Sequence, residues 1–278
     1  MKIALISAHY PPQKTSCAVQ MRDLARELVK MGHNPIVIVP VEKTNQSIYI
    51  EKIENIQILR IPTFKISNVG NIRRAFNEIL MSFNMISGLK KNFSLIKSLD
   101  AVVWYSPTIF FGPLIKYIKN STNCKSYLIL RDMFPEWALD LGILKKNLIY
   151  YFLKIVANYQ YSLADTIGVQ TFSNLKYFND LPKENKSKIE VLNNWLSPSI
   201  NKKCRISIND TKLKDKKIFV YIGNMGVAQG IKILVELANS LKNRKNIGFI
   251  FVGRGSELNK LKNYVEKKDL DNVLFFDE

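Results

Sequence analysis

The sequence predicts an α/β protein with two Rossmann-like, doubly wound parallel-sheet domains, the second of them incomplete. Continuous apolar runs such as residues 2–8 and 35–40 are typical of parallel strands that are buried on both faces. Helical patterns alternate with these runs, and strand, helix and strand follow within about forty residues, as in a βαβ unit. The alternation starts again after a polar segment. We therefore expect domains over 1–196 and 218–278, joined by a linker over 197–217.

The first domain should begin with a strand, a polar loop and a helix that Gly32 ends. Apolar residues recur in this helix at helical spacing: Val19, Leu24, Leu28 and Met31. Residues 147–164 show a second, strongly apolar helical pattern. Later strands are expected at five apolar runs: IQILRI, AVVWYSP, SYLILRD, DTIGVQT and KIEVLNN.

The second domain should contain strands at KIFVYIG, IGFIFVG and NVLFF, with a helix after each of the first two. Its pattern stops at Glu278 after three strands, whereas a parallel core usually needs more. An incomplete sheet leaves an unpaired strand edge and exposed apolar surface. We therefore expect residues 218–278 to be less stable than residues 1–196.

The charge of the chain favours an anionic partner. Its 278 residues carry a formal net charge of +18, which fits membrane headgroups, a phosphorylated substrate or nucleic acid. Nucleic acid is the simplest interpretation of the charge alone. However, the sequence lacks a recognition motif for it, and the apolar βαβ pattern explains the chain better, so we expect no nucleic-acid partner.

The cysteines and the N-terminus indicate a reducing, cytoplasmic setting. Cys17, Cys124 and Cys204 are far apart and show neither zinc spacing nor a disulfide framework. The first apolar run has only six residues before His9, too short for the core of a signal peptide. No stretch reaches the ~18 apolar residues that are needed to span a bilayer.

Glycine-rich loops follow the first two strands of the second domain. Glycine lets a backbone approach a phosphate closely, and amide side chains in such a loop donate hydrogen bonds. The predicted donor-binding residues are Gly223, Asn224, Gly226, Gln229 and Gly230 in the first loop, and Gly253, Arg254 and Gly255 in the second. Arg254 could neutralise a diphosphate. An ordinary strand-to-helix turn and a solvated arginine are the alternatives.

Two further positions have chemical potential. His9 lies at a strand end and could act as a general base, although a loop histidine packed on proline is equally consistent with the sequence. Asp269 and Asp271 have the D-x-D spacing that can hold Mg²⁺ with a nucleotide diphosphate. They lie between a helix and a strand, where a capped turn is the better interpretation, so we assign no metal site.

A basic amphipathic segment precedes the middle of the first domain. Its aromatic and basic residues suit a membrane surface, and they are Arg73, Arg74, Phe76, Phe83, Lys90 and Lys91. The alternative is that the apolar stripe of this helix faces the protein core. The sequence leaves both interpretations open.

The stretch LRDMFPEWALDLGIL, residues 130–144, places Arg131, Asp132 and Glu136 at the mouth of a strand. In α/β folds the ends of strands are where ligands usually bind.

Together these motifs resemble the GT-B glycosyltransferases of family 4 over essentially the whole chain. The branch most like it builds bacterial O-antigen and capsule and includes L-fucosamine transferases. The resemblance rests on Tyr10-Pro11-Pro12, Gly32-His33, Ser106-Pro107, the stretch 130–144, Asn194-Trp195 and the two glycine-rich loops. The motifs are short, but their order and spacing are specific.

The resemblance implies transfer of a sugar from a nucleotide diphosphate, expected to be a UDP-sugar, to a hydroxyl. It implies retention of configuration and no bound metal or cofactor. Asp132 and Glu136 would face the interdomain cleft, with Asp132 orienting sugar or acceptor and Arg131 offsetting charge or holding a phosphate. The cleft or acceptor side would also include Ser106, Asn194 and Trp195. A purely structural role for Asp132, capping the next helix through Pro135, is the alternative.

The acceptor implied is a polyprenyl-diphosphate-linked saccharide of surface polysaccharide synthesis, used by an enzyme held peripherally on the inner face of the plasma membrane. Two departures from the family bear on this. The loop after Pro12 lacks the family's glycines, and the family's later acidic motif has no counterpart before Glu278. A truncated, non-catalytic nucleotide- or lipid-binding remnant and a sugar-nucleotide 2-epimerase therefore remain alternatives.

Overall fold

A computed structural model describes residues 1–42, 48–66, 69–179, 188–198, 204 and 206–277, without the side chains of residues 71, 72 and 228. The chain forms two compact units, Met1–Pro198 and Ser199–Glu278. Both consist of a sheet with helices packed against it, which confirms the predicted α/β class.

The first unit is built on an eight-stranded sheet in the order β3-β4-β2-β1-β5-β6-β7-β8. Its strands are β1 (Lys2–Ile6), β2 (Asn34–Glu42), β3 (Tyr49–Ile53), β4 (Ile56–Thr63), β5 (Ala101–Ser106), β6 (Lys125–Leu130), β7 (Thr166–Val169) and β8 (Ile189–Val191). Every pairing is parallel except that of β3 with β4.

Helices connect these strands. They are α1 (Ser16–Lys30), α2 (Asn71–Lys91), α3 (Gly112–Thr122), α4 (Glu136–Asp140) and α5 (Leu148–Ser162), with short 3₁₀ helices at Phe93–Leu95 and Phe172–Phe178. Thr15 caps α1 by accepting a hydrogen bond from the amide of Ala18. Gly32, with φ +78°, ends that helix as predicted.

The antiparallel strand β3 was not predicted. Glu54 and Asn55 both have positive φ and form the two-residue turn between β3 and β4, with Ile53 paired directly with Ile56. Two successive residues with positive φ define the hairpin turn whose twist matches that of the strands. This hairpin makes β3 an antiparallel edge on an otherwise parallel sheet.

The core of the first unit lies on both faces of the sheet. In β1 the side chains alternate, so Ala4 and Ile6 face one side while Ile3 and Leu5 face the other. Helices α2, α3 and α5 cover the face of Ile6, and α1 covers the face of Leu5.

The second unit has a three-stranded parallel sheet in the order β11-β10-β9. Its elements are β9 (Lys217–Ile222), a 3₁₀ helix (Val227–Gln229), α6 (Lys232–Ser240), β10 (Ile247–Val252), α7 (Leu258–Lys267) and β11 (Val273–Phe276). Leu213, inside the predicted linker, is fully buried and packs close to Gly248 of this unit. At the edge strand β9, Phe219, Val220 and Ile222 are exposed.

Candidate active site and donor loops

In the sheet of the first unit, the direction in which the chain adds strands reverses at β1. Strand β1 lies between β2 and β5, so the chain winds outward to one side through β2 and to the other through β5 and β6. The carboxyl ends of β1, β5 and β6 therefore meet at the crevice where ligands of open α/β sheets bind. His9, Ser106 and Asp132 are the predicted site residues at these ends.

His9 follows β1 and is held by its neighbours. Its ring Nδ1 lies 3.3 Å from the hydroxyl of Thr15, and its carbonyl accepts a 2.7 Å hydrogen bond from Ser7 Oγ. Burial, and secondarily the charge of Arg74, lower the pKa of His9 below its usual 6.5. The imidazole is therefore neutral near pH 7, which is the form that accepts a proton. A cavity of about 90 Å³ lies beside it, between the ends of β1, β2 and β4.

Cys17 of α1 and Tyr105 of β5 lie close enough to Asp132 to feel its charge, a relation that was not predicted. The Cys17 thiol faces the carbonyl of His9 at 3.9 Å. The charge of Asp132 acts on both Cys17 and Tyr105, which places this carboxylate near them. Burial raises the pKa of the Cys17 thiol to about 12, so the thiol stays protonated and is no nucleophile. His9 and Asp132 thus belong to one edge of the sheet.

Asp132 is solvent-exposed as a residue, but neighbouring protein atoms partly desolvate its carboxyl group and raise its pKa. Helix α4 begins at Glu136 without a side-chain cap, so the structural alternative for Asp132 as a helix cap is not observed. An accessible carboxylate with a raised pKa at a strand end is suited to accept a proton or a hydrogen bond from a ligand.

Glu136 forms an ion pair with Lys154 of α5. The Glu136 side chain is only 13% exposed, so the pair holds α4 against α5. Lys154 was not predicted as a site residue. The available signal was that it is the only charged residue among the fifteen of α5.

Arg131 and Trp195 pack together rather than opening toward solvent. The guanidinium carbon lies 5.1 Å from the ring centroid of Trp195, and Nη1 donates to the carbonyl of Leu192. Trp195 Nε1 in turn donates to the carbonyl of Gln20 at 3.1 Å. Arg131 therefore ties the segment after β8 to the sheet and α1.

The other two predicted cleft residues differ in exposure. Ser106 is fully buried at the end of β5, so its hydroxyl faces the protein interior in this structure. Asn194 is exposed beside Trp195.

The two predicted donor loops of the second unit interlock. Strands β9 and β10 are adjacent, and their loops pack backbone against backbone. A Cβ placed on Gly253 would lie 2.1 Å from the carbonyl oxygen of Gly223, and one on Gly255 would lie 2.3 Å from that of Met225. The amide of Met225 donates to the carbonyl of Arg254 at 2.7 Å. Only glycine fits at 253 and 255, where φ is +139° and +155°.

The polar side chains of the first loop bind each other. Asn224 Nδ2 donates to Gln229 Oε1 at 3.1 Å, and the amide of Gly226 donates to the same oxygen at 3.2 Å. Gly230 has φ +58° and ends the short 3₁₀ helix before α6. Arg254 is exposed in the second loop. The loop is thus ordered by its own side chains.

Helix α2 serves the core and leaves the predicted membrane residues outside. Met81, Met85 and Leu89 are buried against the sheet. The predicted membrane-facing residues Arg73, Arg74, Phe76, Phe83, Lys90 and Lys91 are all exposed. Helix α2 therefore has two apolar stripes. One stripe packs in the core, and the other, with Phe76 and Phe83, is exposed.

Residues 205–278 match the family described as Glycosyl transferases group 1. This match lies within the second unit, Ser199–Glu278. WbjE of Pseudomonas aeruginosa, named as a glycosyltransferase, is 26% identical over 169 residues, which are 59% of this chain and 41% of WbjE. The chain thus spans less than half the length of WbjE.

A second relative and a solved structure extend the similarity to nearly the whole chain. WcaI of Escherichia coli, named as a colanic acid biosynthesis glycosyl transferase, is 23% identical over 99% of this chain and 71% of WcaI. The Anabaena protein HepE, solved in complex with UDP and glucose, gives a TM-score of 0.63 at 12% identity, covering 100% of this chain and 69% of HepE. At this identity the structural likeness shows the GT-B fold alone.

Proposed function

We propose that the protein is a glycosyltransferase of bacterial surface-polysaccharide synthesis, moving a sugar from a UDP-sugar to a lipid-linked saccharide. The observation that carries this proposal is the pair of interlocked glycine loops, 223–226 and 253–255, inside the region that matches the glycosyltransferase group 1 family. WbjE and WcaI, both named for glycosyl transfer, support the activity, and WcaI, named for colanic acid biosynthesis, supports the pathway.

The donor would lie on the loops of the second unit. Backbone N–H groups at the start of a helix, with no side chain in the way, favour a diphosphate. Gly253 and Gly255 let the second loop pack directly on the backbone of the first, which brings the start of both helices together, and Arg254 would add positive charge beside them. HepE was solved with UDP, which motivates the choice of a uridine nucleotide.

The acceptor hydroxyl would be activated at the edge of the first sheet. Transfer to a hydroxyl requires a group that takes its proton and a site that stabilises the leaving diphosphate. His9 is neutral near pH 7, and the carboxylate of Asp132 is accessible, so both can accept a hydrogen bond from a sugar hydroxyl. We assign the orienting role to Asp132 and a proton-accepting role to His9. No step requires a metal.

The lipid-linked acceptor fits the charge of the chain. A polyprenyl diphosphate is anionic and lies in a membrane whose cytoplasmic leaflet is also anionic. The chain carries a net charge of +18, and α2 presents Phe76 and Phe83 between basic residues. In the described part of the chain no helix is long and apolar enough to cross a bilayer.

Transfer of radiolabelled sugar from a panel of UDP-sugars to a bacterial polyprenyl-diphosphate saccharide would test the proposal. We expect label in the lipid fraction, with a rate about 10²-fold lower for Asp132→Asn, because a misplaced acceptor loses a rate factor of this order. Asp140→Asn is the matched control, because this exposed carboxylate binds Tyr177 in the same segment. Equal rates for both variants would contradict the assignment, and UDP binding without any transfer would favour the non-catalytic remnant.

A further inference from the structure

Helix α5 has an unusual composition for a surface helix. From Leu148 to Ser162 it contains no acidic residue and only one basic residue, Lys154. One side anchors the helix: Ala157 and Tyr161 lie in the core, and Gln160 donates to the carbonyl of Thr108 at 3.3 Å. Since this side holds the helix in place, the opposite side is available for another role.

The opposite side is a row of large apolar side chains, which we call the α5 apolar face. It consists of Leu148, Ile149, Tyr151, Phe152 and Ile155, all of them exposed. Leu148 is 89% exposed and Ile155 is 67% exposed. A single exposed leucine is ordinary, but five large apolar residues on two turns of one helix mark an interaction surface.

The charges around this face are basic. Lys145 and Lys146 are exposed and directly precede the helix, whose first turn is capped by Asn147. The nearest acids in the sequence already have partners, because Glu136 pairs with Lys154, Asp140 binds Tyr177 and Asp165 pairs with Lys119. The face therefore presents apolar side chains with a cationic rim.

We infer that the α5 apolar face binds an anionic phospholipid bilayer, with the helix lying in the plane of the headgroups. An apolar face with lysines at its border is the arrangement by which a helix binds such an interface without spanning it. Lys145 and Lys146 would contact phosphate headgroups while Leu148, Phe152 and Ile155 enter the acyl boundary.

The arrangement of helices supports this orientation. Helices α2, α3 and α5 pack on the same face of the sheet, so their outward sides are turned to the same side of the first unit. The exposed Phe76 and Phe83 of α2 therefore lie on the side of the molecule that carries the α5 apolar face.

The inference deepens the proposed function and rests on it for its purpose. The Glu136–Lys154 pair joins α5 to α4, which directly follows Asp132 in the chain. Docking α5 would hold this segment at the membrane surface, where a lipid-linked acceptor is located. A second copy of the chain is a weaker candidate for the same face, because it would bring together two lysine-bordered surfaces of a chain with net charge +18.

Co-sedimentation of the full chain with vesicles tests the inference without donor or acceptor. Vesicles of phosphatidylcholine containing one-third phosphatidylglycerol would be compared with pure phosphatidylcholine. We expect binding to the anionic vesicles, weakened about tenfold by Ile155→Ser, in line with the transfer of one apolar side chain. Met31→Ser is the matched control, since Met31 is 69% exposed at the end of α1, which packs on the other face of the sheet. It should bind as the wild type does.

The lysines provide a second, independent variant. Replacing both Lys145 and Lys146 by alanine should weaken binding to anionic vesicles roughly 30-fold, at about fivefold per lysine. The matched pair Lys242→Ala with Lys245→Ala, exposed in the second unit, should have a much smaller effect.

Three results would overturn the inference. These are no binding of the wild type to anionic vesicles, equal binding of Ile155→Ser and Met31→Ser, or an Ile155→Ser variant that changes only the solution mass of the protein, as a dimer face would. Transfer to a water-soluble diphosphate-saccharide tests the proposed function separately. Vesicle binding without such transfer would leave the inference standing and contradict the enzyme assignment.

Discussion

The contact between the two donor loops gives the sharpest prediction. Gly253→Ala adds a methyl group whose carbon would lie 2.1 Å from the carbonyl oxygen of Gly223, although real contacts of this kind are rarely closer than 3.0 Å. The two loops would have to separate by about 0.9 Å. Gly230→Ala is the matched control, because Gly230 also has positive φ, +58°, but nothing lies within 4 Å of the position of an added Cβ.

The expected free energies differ clearly between the two variants. Gly230→Ala should cost about 1–2 kcal/mol, the cost of a left-handed conformation for a residue with a side chain. Gly253→Ala should cost about 1–3 kcal/mol of backbone strain. The overlap with Gly223 should add about 1–3 kcal/mol. Both variants lose the same unfolded-state entropy of glycine, so the difference, about 2 kcal/mol, reflects mainly the contact between the loops and to a smaller extent the less favourable φ of Gly253, +139° against +58°.

Hydrogen exchange measured by mass spectrometry would report this difference locally. All three tryptophans, Trp104, Trp137 and Trp195, precede the second unit, so tryptophan fluorescence would miss it. The amides of β10 should exchange roughly 30-fold faster in Gly253→Ala than in Gly230→Ala, as about 2 kcal/mol implies. Equal exchange in the two variants would refute the packing of the loops.

Two further predictions concern stability. Burial raises the pKa of Asp132 in the folded state, so the charged carboxylate is disfavoured there. The stabilising effect of the neutral carboxyl group is complete below the unfolded pKa of about 3.9 and is lost as the pH rises through the folded pKa. Asp132→Asn should therefore melt at a higher temperature than the wild type at pH 7 and at the same temperature near pH 3, and the opposite order at pH 7 would contradict the desolvation. Val220→Lys places a charge on the exposed edge strand β9 and should slow aggregation at high protein concentration, as measured by light scattering. An unchanged aggregation rate would show that the molecules do not associate through the edge strand β9.

The strand and helix pattern was predictable because it depends on local sequence. The apolar runs that became β1, β2, β5 and β6 are buried on both faces, which makes them recognisable without tertiary information. Strand β3 of the hairpin was missed because it carries exposed and charged residues.

The helical spacing in α1 identified only part of the face toward the sheet. Leu24 and Leu28 are partly buried against the core, but Met31 is exposed, and the buried apolar residues are Cys17, Ala18, Met21 and Ala25. Small side chains allow the helix to lie close to the sheet, and hydrophobicity patterns give them little weight. Likewise, the polar composition of residues 197–217 hid an apolar residue, Leu213, that the second unit buries.

The candidate site was predictable only in its local motifs. The stretch after β6 and the two glycine loops are visible as sequence. The contact of Arg131 with Trp195 joins residues far apart in the chain, and the pairing of Glu136 with Lys154 depends on how α4 meets α5. Such contacts follow from tertiary packing, so no local pattern reports them.

Hydrogen exchange with and without UDP is the direct test of the proposed donor site. We expect UDP to slow exchange in the full chain at both donor loops, residues 223–230 and 253–255, and we expect Gly253→Ala to lose this protection while Gly230→Ala keeps most of it. Exchange that UDP leaves unchanged in both loops, at concentrations well above those used by sugar-nucleotide enzymes, would contradict the donor site and with it the proposed transferase.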